Sequence, residues 1–235
     1  MLLTEASSSW ATNLPAPAQN SFLHTIFTVA ELGQYAAAGV SMVARWSFME
    51  MSPFATLQRA WNATAQRHDF VPAADYWLLL AHKATVGGGV LGVSQPQADA
   101  DPALIYAYCG KHGSGNAIIA AANPSPGEVV LRLDLGGRGP EHTDALARRE
   151  FVFTAPGGNL SSQSPILNNG QAGLRLDEDG ALPASFAPAT VTAGSGTPIV
   201  LPPRSSGYFE LVGAAVPACL RGASVDSSAA SVHTW

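Results

Sequence analysis

The chain opens on a short apolar run, Met1 to Thr4, that reads as a buried strand. After Pro15 and Pro17, apolar side chains return at Phe22, Leu23, Ile26, Phe27, Ala30 and Ala37. Their spacing of three and four predicts a helix over 21–38. Asn20 or Ser21 can cap its start, and Gly39 stands where a C-terminal glycine belongs. Val40 to Trp46 then runs almost without polar side chains, the pattern of a strand covered on both faces in a parallel sheet. A long loop with Pro53 and Pro72 leads to a second predicted helix over 74–86, with Asp75 in its first turn and Gly87-Gly88-Gly89 ending it. Strand, helix, strand, helix is the order of βα units.

Beyond Ala103 the period shortens to two. Short strands are predicted at 104–108, 117–120, 129–133, 150–153 and 207–211, separated by the turn formers Asn123-Pro124, Pro126-Gly127, Gly136-Gly137, Pro156-Gly157-Gly158 and Asn169-Gly170. Such spacing predicts an antiparallel β-sandwich. Residues 221–235 are mostly small and polar and read as a loose, flexible tail. The expected organisation is α/β plus all-β: a partial barrel over 1–92, a sandwich over 93–220, and the tail. Two βα units do not close a barrel, which takes eight, so the first 92 residues read as the end of a longer α/β domain.

Composition narrows the function. Only 12% of the 235 residues are charged against 47% hydrophobic, and the formal net charge is −5. That balance excludes whole-chain disorder, and the acidic excess argues against nucleic acid as a partner. No run reaches the roughly 18 apolar residues of a membrane-spanning helix, and the N-terminus has no signal-peptide pattern. Glu5 closes the opening strand, with Trp10 nearby. A carboxylate at a strand's C-terminal end is where barrel enzymes carry chemistry, and an aromatic beside it suits the apolar face of a sugar ring. Taken alone, Glu5 equally reads as a solvated glutamate. The two cysteines, Cys109 and Cys219, allow one internal bridge or two buried thiols.

The sequence resembles the heparanase-type (family-79) glycoside hydrolases through a colinear series of segments. Leu3-Thr4-Glu5-Ala6-Ser7-Ser8 is similar to that family's stretch around the catalytic nucleophile. Ser21-Phe22 and Leu32 to Val40 resemble the helix and turn that follow, and Val43-Ala44-Arg45-Trp46-Ser47-Phe48 resembles the next strand. Asp75-Tyr76-Trp77-Leu78-Leu79-Leu80, Lys83 and Val86-Gly87 resemble the family's Asp-Tyr-Trp helix. Ile105 to Cys109 and Ala215 to Cys219 resemble the two segments that carry its disulfide.

The resemblance implies the last two βα units of a TIM (β/α)8 barrel followed by an antiparallel β-sandwich. It implies a retaining mechanism with Glu5 as nucleophile and a second carboxylate as acid/base, the pair about 5–5.5 Å apart. The family's acid/base glutamate has no match in these 235 residues, so the chain is expected to be inactive alone and to need the remaining, N-terminal barrel portion as a partner. It also implies a Cys109–Cys219 disulfide, a carbohydrate substrate with uronic acid among the options, and an extracellular, lysosomal or membrane-associated setting. Trp10, Arg45 and Phe54 match substrate-binding positions. There are departures: Ala11-Thr12-Asn13 replaces a glycine run whose backbone contacts an acidic sugar, Trp46 replaces a glutamine, and Phe54 replaces a tyrosine and so lacks its hydroxyl, which leaves a different uronic-acid glycan and a neutral one equally open. These favour the alternative of a non-catalytic glycan-binding or structural β-sandwich protein.

Other features carry less. Asn62-Ala63-Thr64 and Asn159-Leu160-Ser161 are N-glycosylation sequons. Glu50 reads as a loop carboxylate, Asp69 lies further from the strand ends, and Asp75 reads as a helix N-terminal residue. Gly87 to Gly92 fits G-x-G-x-x-G but follows a helix and lacks the downstream acid, so no dinucleotide cofactor is expected. The six histidines are scattered without metal spacing, and no metal is expected. His82 reads as a helix-face residue, and Ser7-Ser8-Ser9 lacks a nucleophile elbow.

Overall fold

The computed structural model describes residues 2–6, 21–45, 47–50, 55–94, 103–220 and 231–234; for 2–6, 45, 50 and 231–234 it describes the backbone alone. In chain order the elements begin with β1 (Leu2–Ala6), α1 (Phe22–Ala37), β2 (Met42–Arg45) and β3 (Met49–Glu50). There follow β4 (Leu57–Asn62), β5 (Arg67–Pro72), α2 (Ala74–Thr85), β6 (Val86–Ser94), β7 (Leu104–Gly110) and β8 (Ala117–Asn123). Next come β9 (Val129–Leu131), β10 (Leu133–Leu135), α3 (Pro140–Asp144), β11 (Ala147–Thr154) and β12 (Ile166–Leu167). The last are β13 (Ala189–Val191), β14 (Ile199–Leu201), β15 (Ser205–Val212) and β16 (Ser231–Thr234). No described helix is long and apolar enough to cross a membrane.

The chain divides into two compact units, residues 1–80 with 153–187 and residues 81–152 with 188–235. The division differs from the boundary at 92 expected from sequence, because the second segment of the first unit is contributed from beyond β10. The reason is visible in α1. Ser21 takes the extended N-cap conformation, yet its side chain makes no capping bond. Instead the helix's first two N–H groups donate to the carbonyls of Ser162 (2.7 Å) and Leu160 (3.0 Å). Those otherwise orphaned donors thus tie α1 to a loop far along the chain. Gly39, at φ +76°, ends the helix as the sequence predicts.

In the first unit β1 and β2 pair in parallel, with α1 as the crossover. The second helix brings Trp77, fully buried, against Phe186 at 5.6 Å between ring centroids. Asp75 is a helix first-turn residue, as expected, but it is also buried 3.7 Å from Nδ1 of His24 on α1. The stretch read as one long loop holds a small three-stranded sheet, with β3 parallel to β4 and β4 antiparallel to β5. The β4–β5 turn is built by Asn62, whose Oδ1 accepts from the N–H groups of Thr64 and Ala65 at 3.1 and 3.0 Å.

The second unit is dominated by antiparallel pairing. Its main sheet runs β10-β16-β6-β7-β8-β15-β11, with β13 on the far side of β11, and β9 pairs with β14 in a second sheet. Within the first unit, the last two residues of β11 pair with β12. Ile105, Ile119, Phe209 and Leu211 of the main sheet share one core with Leu131, Ile199 and Leu201 of the second. The period-two segments all form strands. The segment 129–133 differs in splitting into β9 and β10, and β13 and β14 carry too few alternating positions to be read.

Two expectations are corrected here. Gly87-Gly88-Gly89 do not merely end α2; they lie inside β6. A Cβ on Gly87 meets the Gly110 carbonyl oxygen at 2.5 Å, and one on Gly89 meets Sγ of Cys109 at 2.7 Å, so close backbone approach demands glycine there. The tail is not loose throughout, since β16 inserts between β6, in parallel, and β10, antiparallel. Residues 221–230 lie outside the described residues.

Two side-chain devices hold the second unit. Cys109 at the end of β7 bonds to Cys219, 110 residues later, with the Cα atoms 5.1 Å apart. On the last turn of α2, His82 sits edge-on to Tyr108 and Tyr208, and its Nδ1 lies 3.0 Å from the Tyr208 hydroxyl. Burial, with the Lys111 ammonium adding to it, lowers the His82 pKa from 6.5 to about 4. Burial likewise pushes the phenols of Tyr108 and Tyr208 up. The cluster is therefore a neutral, packed network.

Two outcomes are expected. Replacing both cysteines with alanine lowers unfolding free energy in urea by about 4–5 kcal/mol, the loop-closure value for a bridge of this span. An unchanged denaturation midpoint refutes that assignment. Because the folded His82 pKa lies below its unfolded value, its contribution is complete above about pH 6.5 and declines as pH falls towards 4. The full loss is about 3 kcal/mol. His82→Gln flattens this part of the pH dependence of the urea midpoint, and parallel wild-type and variant curves refute it.

Candidate active site

The strand pair β1–β2 positions the residues singled out in the sequence. Parallel pairing aligns Leu2 with Met42, Leu3 with Val43 and Ala6 with Arg45. Glu5 and Arg45 therefore stand at the same, C-terminal edge, one on each strand. Between Leu3 and Ala6 lie two residues on β1, Thr4 and Glu5, against one, Ala44, between their partners on β2, so the register shifts in the interval that holds Glu5. A bulge of this kind re-aims side chains and recurs beside active sites. The backbones of Glu5 and Arg45 are described and their side chains are not; Trp10 and Phe54 lie outside the described residues.

Of the other carboxylates weighed from the sequence, Asp69 and Asp75 have side-chain partners. Asp69 on β5 accepts from Asn62 Nδ2 at 2.6 Å and from Arg67 Nε at 3.0 Å. These two bonds, Asn62 first, hold its pKa below the usual carboxylate value. It fastens the hairpin. Asp75 faces His24. Glu50 stands on β3, with its side chain outside the described part.

Asn62, the first sequon residue, sits at the hairpin turn, where its amide is engaged by Asp69. Asn159, the second, lies in the loop after β11 and accepts from the Ser161 N–H at 3.0 Å. Cys109 and Cys219 are bonded, in agreement with the expectation the resemblance carried.

The hairpin supplies what sequence reading missed. Residues opposite one another across β4 and β5 share a face, which puts Trp61 with His68 and Arg59 with Phe70 on one side. Trp61 and His68 meet edge to face at 5.1 Å. Along β5 lies an open groove of about 1040 Å³, bordered by Arg67, His68 and Phe70 and, from the 174–180 loop, by Arg175 and three successive acids. The signal available in the sequence was the pair of mixed segments Leu57–Asn62 and Arg67–Pro72 flanking a short polar stretch.

In the second unit a smaller pocket of about 470 Å³ is lined by Lys111, His112, Arg149 and Glu210. Glu210 is satisfied there by Asn116 Nδ2 at 2.8 Å and Arg149 at 2.7 Å. Among the described residues no three His, Cys, Asp or Glu side chains form a group that could hold a metal ion.

No family model matches the chain. Curated proteins do. It is 27% identical over 209 residues to a hyaluronoglucuronidase of Hirudo nipponia, covering 84% of this chain and 37% of that protein. It is 29% identical over 156 residues to a heparanase of Gallus gallus (64% and 28%), and 26% over 223 residues to a heparanase of Bos taurus (93% and 37%). The chain thus spans well under half the length of these relatives.

Among solved structures, the fold is similar to that of a conserved exported protein from Bacteroides fragilis, with a TM-score of 0.56 at 13% identity over 89% of this chain and 38% of that one. It is also similar to BuGH86 in complex with neoagarooctaose, with a TM-score of 0.54 at 16% identity over 92% and 31%. Together with the colinear segments of the sequence, these relatives make the chain heparanase-like, akin to glycoside hydrolases of the heparanase and hyaluronoglucuronidase type.

Proposed function

We propose that the chain carries the nucleophile half of a retaining glycoside hydrolase site. In this reading β1–α1–β2 and the β3–α2 region are the last two βα units of a (β/α)8 barrel, and the second unit is the β-sandwich that follows it. The observation that carries the reading is the parallel β1–β2 pair with Glu5 at its C-terminal edge, inside a register shift. The heparanase and hyaluronoglucuronidase relatives support it.

Glu5 attacks the anomeric carbon and forms the glycosyl-enzyme, while Arg45, Trp10 and Phe54 hold the sugar. A second carboxylate, about 5–5.5 Å from Glu5, protonates the leaving oxygen and then activates water. That carboxylate comes from a barrel strand outside these 235 residues, so the chain alone does not turn over unactivated glycosides. The setting is secretory, as a disulfide and two sequons permit.

A fluorosugar separates the two steps. The chain is incubated with a 2,4-dinitrophenyl 2-deoxy-2-fluoro-β-glucuronide, whose leaving group departs without protonation, and digested for mass spectrometry. A single adduct on the Glu5 peptide, absent in Glu5→Gln, is expected; an adduct elsewhere, or none, overturns the assignment. Against an unactivated glycoside the chain alone gives no turnover, because loss of the acid/base group costs about 10²–10⁴-fold even in a complete site. Robust turnover abolished by Glu5→Gln refutes the incomplete pair.

A further inference from the structure

The β4–β5 hairpin displays apolar surface that its own unit leaves uncovered. Trp61 is 56% exposed and Phe70 45%, and both lie on the face that Arg59 and His68 share. Two exposed rings on one face of a strand pair offer flat apolar surface to a partner. The edge-on contact with His68 holds the indole in place, so a ring laid on its face finds it pre-set.

The patch is continuous with the groove, because Phe70 and His68 border both. The chain runs towards the hairpin directly from the strand edge that holds Glu5. Only three residues separate Arg45, the end of β2, from Met49, the start of β3, so β3 begins within about 14 Å of that edge. β4 is hydrogen-bonded to β3.

The groove's charge limits what can lie in it. Asp69, Asp177, Glu178 and Asp179 line it against Arg67 and Arg175. Arg67 is already paired with Asp69. With Arg59 of the aromatic face included, the carboxylates still outnumber the guanidiniums. A polyanionic chain meets like charge there, whereas hydroxyl groups find charge-assisted acceptors.

We propose that the hairpin face and groove form a subsite for a neutral glycan chain, in which the rings of Trp61 and Phe70 stack on the apolar faces of sugar rings and the acids of the 177–179 turn accept hydrogen bonds from their hydroxyls. This extends the glycosidase reading by naming the class of sugar chain that runs away from the reacting bond. It differs from the pocket expected for an acidic sugar beside Glu5, since it requires neither Arg45 nor Phe54.

Titration calorimetry on the 235-residue chain tests it with four probes: cellohexaose, xylohexaose, a hyaluronan hexasaccharide and a heparin hexasaccharide. A neutral hexasaccharide binds most tightly, with an affinity that changes less than twofold between 50 and 500 mM salt. Trp61→Ala and Phe70→Ala each weaken it about tenfold, with the circular dichroism of the folded chain unchanged. Tightest binding of the heparin or hyaluronan probe, steep salt dependence, unaltered binding by Trp61→Ala, or no binding of any probe by the folded chain each overturns the subsite. Fluorosugar labelling of Glu5, measured on the same samples, reports separately on the nucleophile.

Discussion

Two parallel strands cannot be joined by a tight turn, so the chain must return across one face before the second begins, and α1 is that return. The constraint fixes the polarity of the pair and thereby puts Glu5 and Arg45 at one edge, 40 positions apart in sequence. It also creates a demand at the start of α1, where the N–H groups of Phe22 and Leu23 need acceptors that the Ser21 side chain does not supply. The carbonyls of Leu160 and Ser162 meet it, and the 153–187 segment belongs to the first unit on that account. Between the helices, His24 and Asp75 are both about 1% exposed and face each other.

The two helices and the antiparallel strands were legible because their burial is one-sided. Phe22, Ile26 and Val29 recur at helical spacing and are buried, and β7, β8 and β15 alternate or run apolar because a core lies beneath them. The β4–β5 hairpin was not legible, for the opposite physical reason. Arg59, Ala60 and Trp61 are all exposed in succession, so neither face of β4 carries a hydrophobic signature. β6 was hidden by its glycines. Gly87 and Gly89 are there for closeness to Gly110 and Cys109, and nothing within the segment itself distinguishes that need from a turn. Asp75 shows a third kind of limit: a first-turn acid and an acid facing a buried histidine have the same local sequence.

The chemistry of the site was legible only to the degree that it depends on strand position. Residue type alone does not pick out Glu5, since the chain spends several other carboxylates in similar-looking places on structure. Glu150 holds Arg148 at 2.8 Å, and that buried guanidinium also donates to the carbonyls of Thr197 and Pro198. Glu210 receives Asn116 and Arg149, and Asp69 receives Asn62 and Arg67. What separates Glu5 from them is its place at the C-terminal edge of a parallel strand, which the apolar opening run and the following helix together imply.

Two independent sets of residues bear on the sugar. In sequence, Ala11-Thr12-Asn13, Trp46 and Phe54 stand where the resembled family has backbone, amide and hydroxyl contacts suited to an acidic ring. In the fold, the groove along β5 sets four carboxylates against two guanidiniums. In the proposed reading the first set changes the donors offered to an acidic ring, Phe54 lacking a tyrosine's hydroxyl, and the second adds repulsion towards a charged chain. Neither depends on the other, since the departures stand at positions 11–13, 46 and 54 of the sequence and three of the four carboxylates at 177–179. A hydrolase with a heparanase-like framework can keep the framework's nucleophile while changing the glycan it accepts, because the nucleophile reads only the anomeric carbon. In the proposed reading the surrounding aromatics and charges read the rest of the sugar, and the acids of the groove favour a less acidic chain beyond the reacting ring.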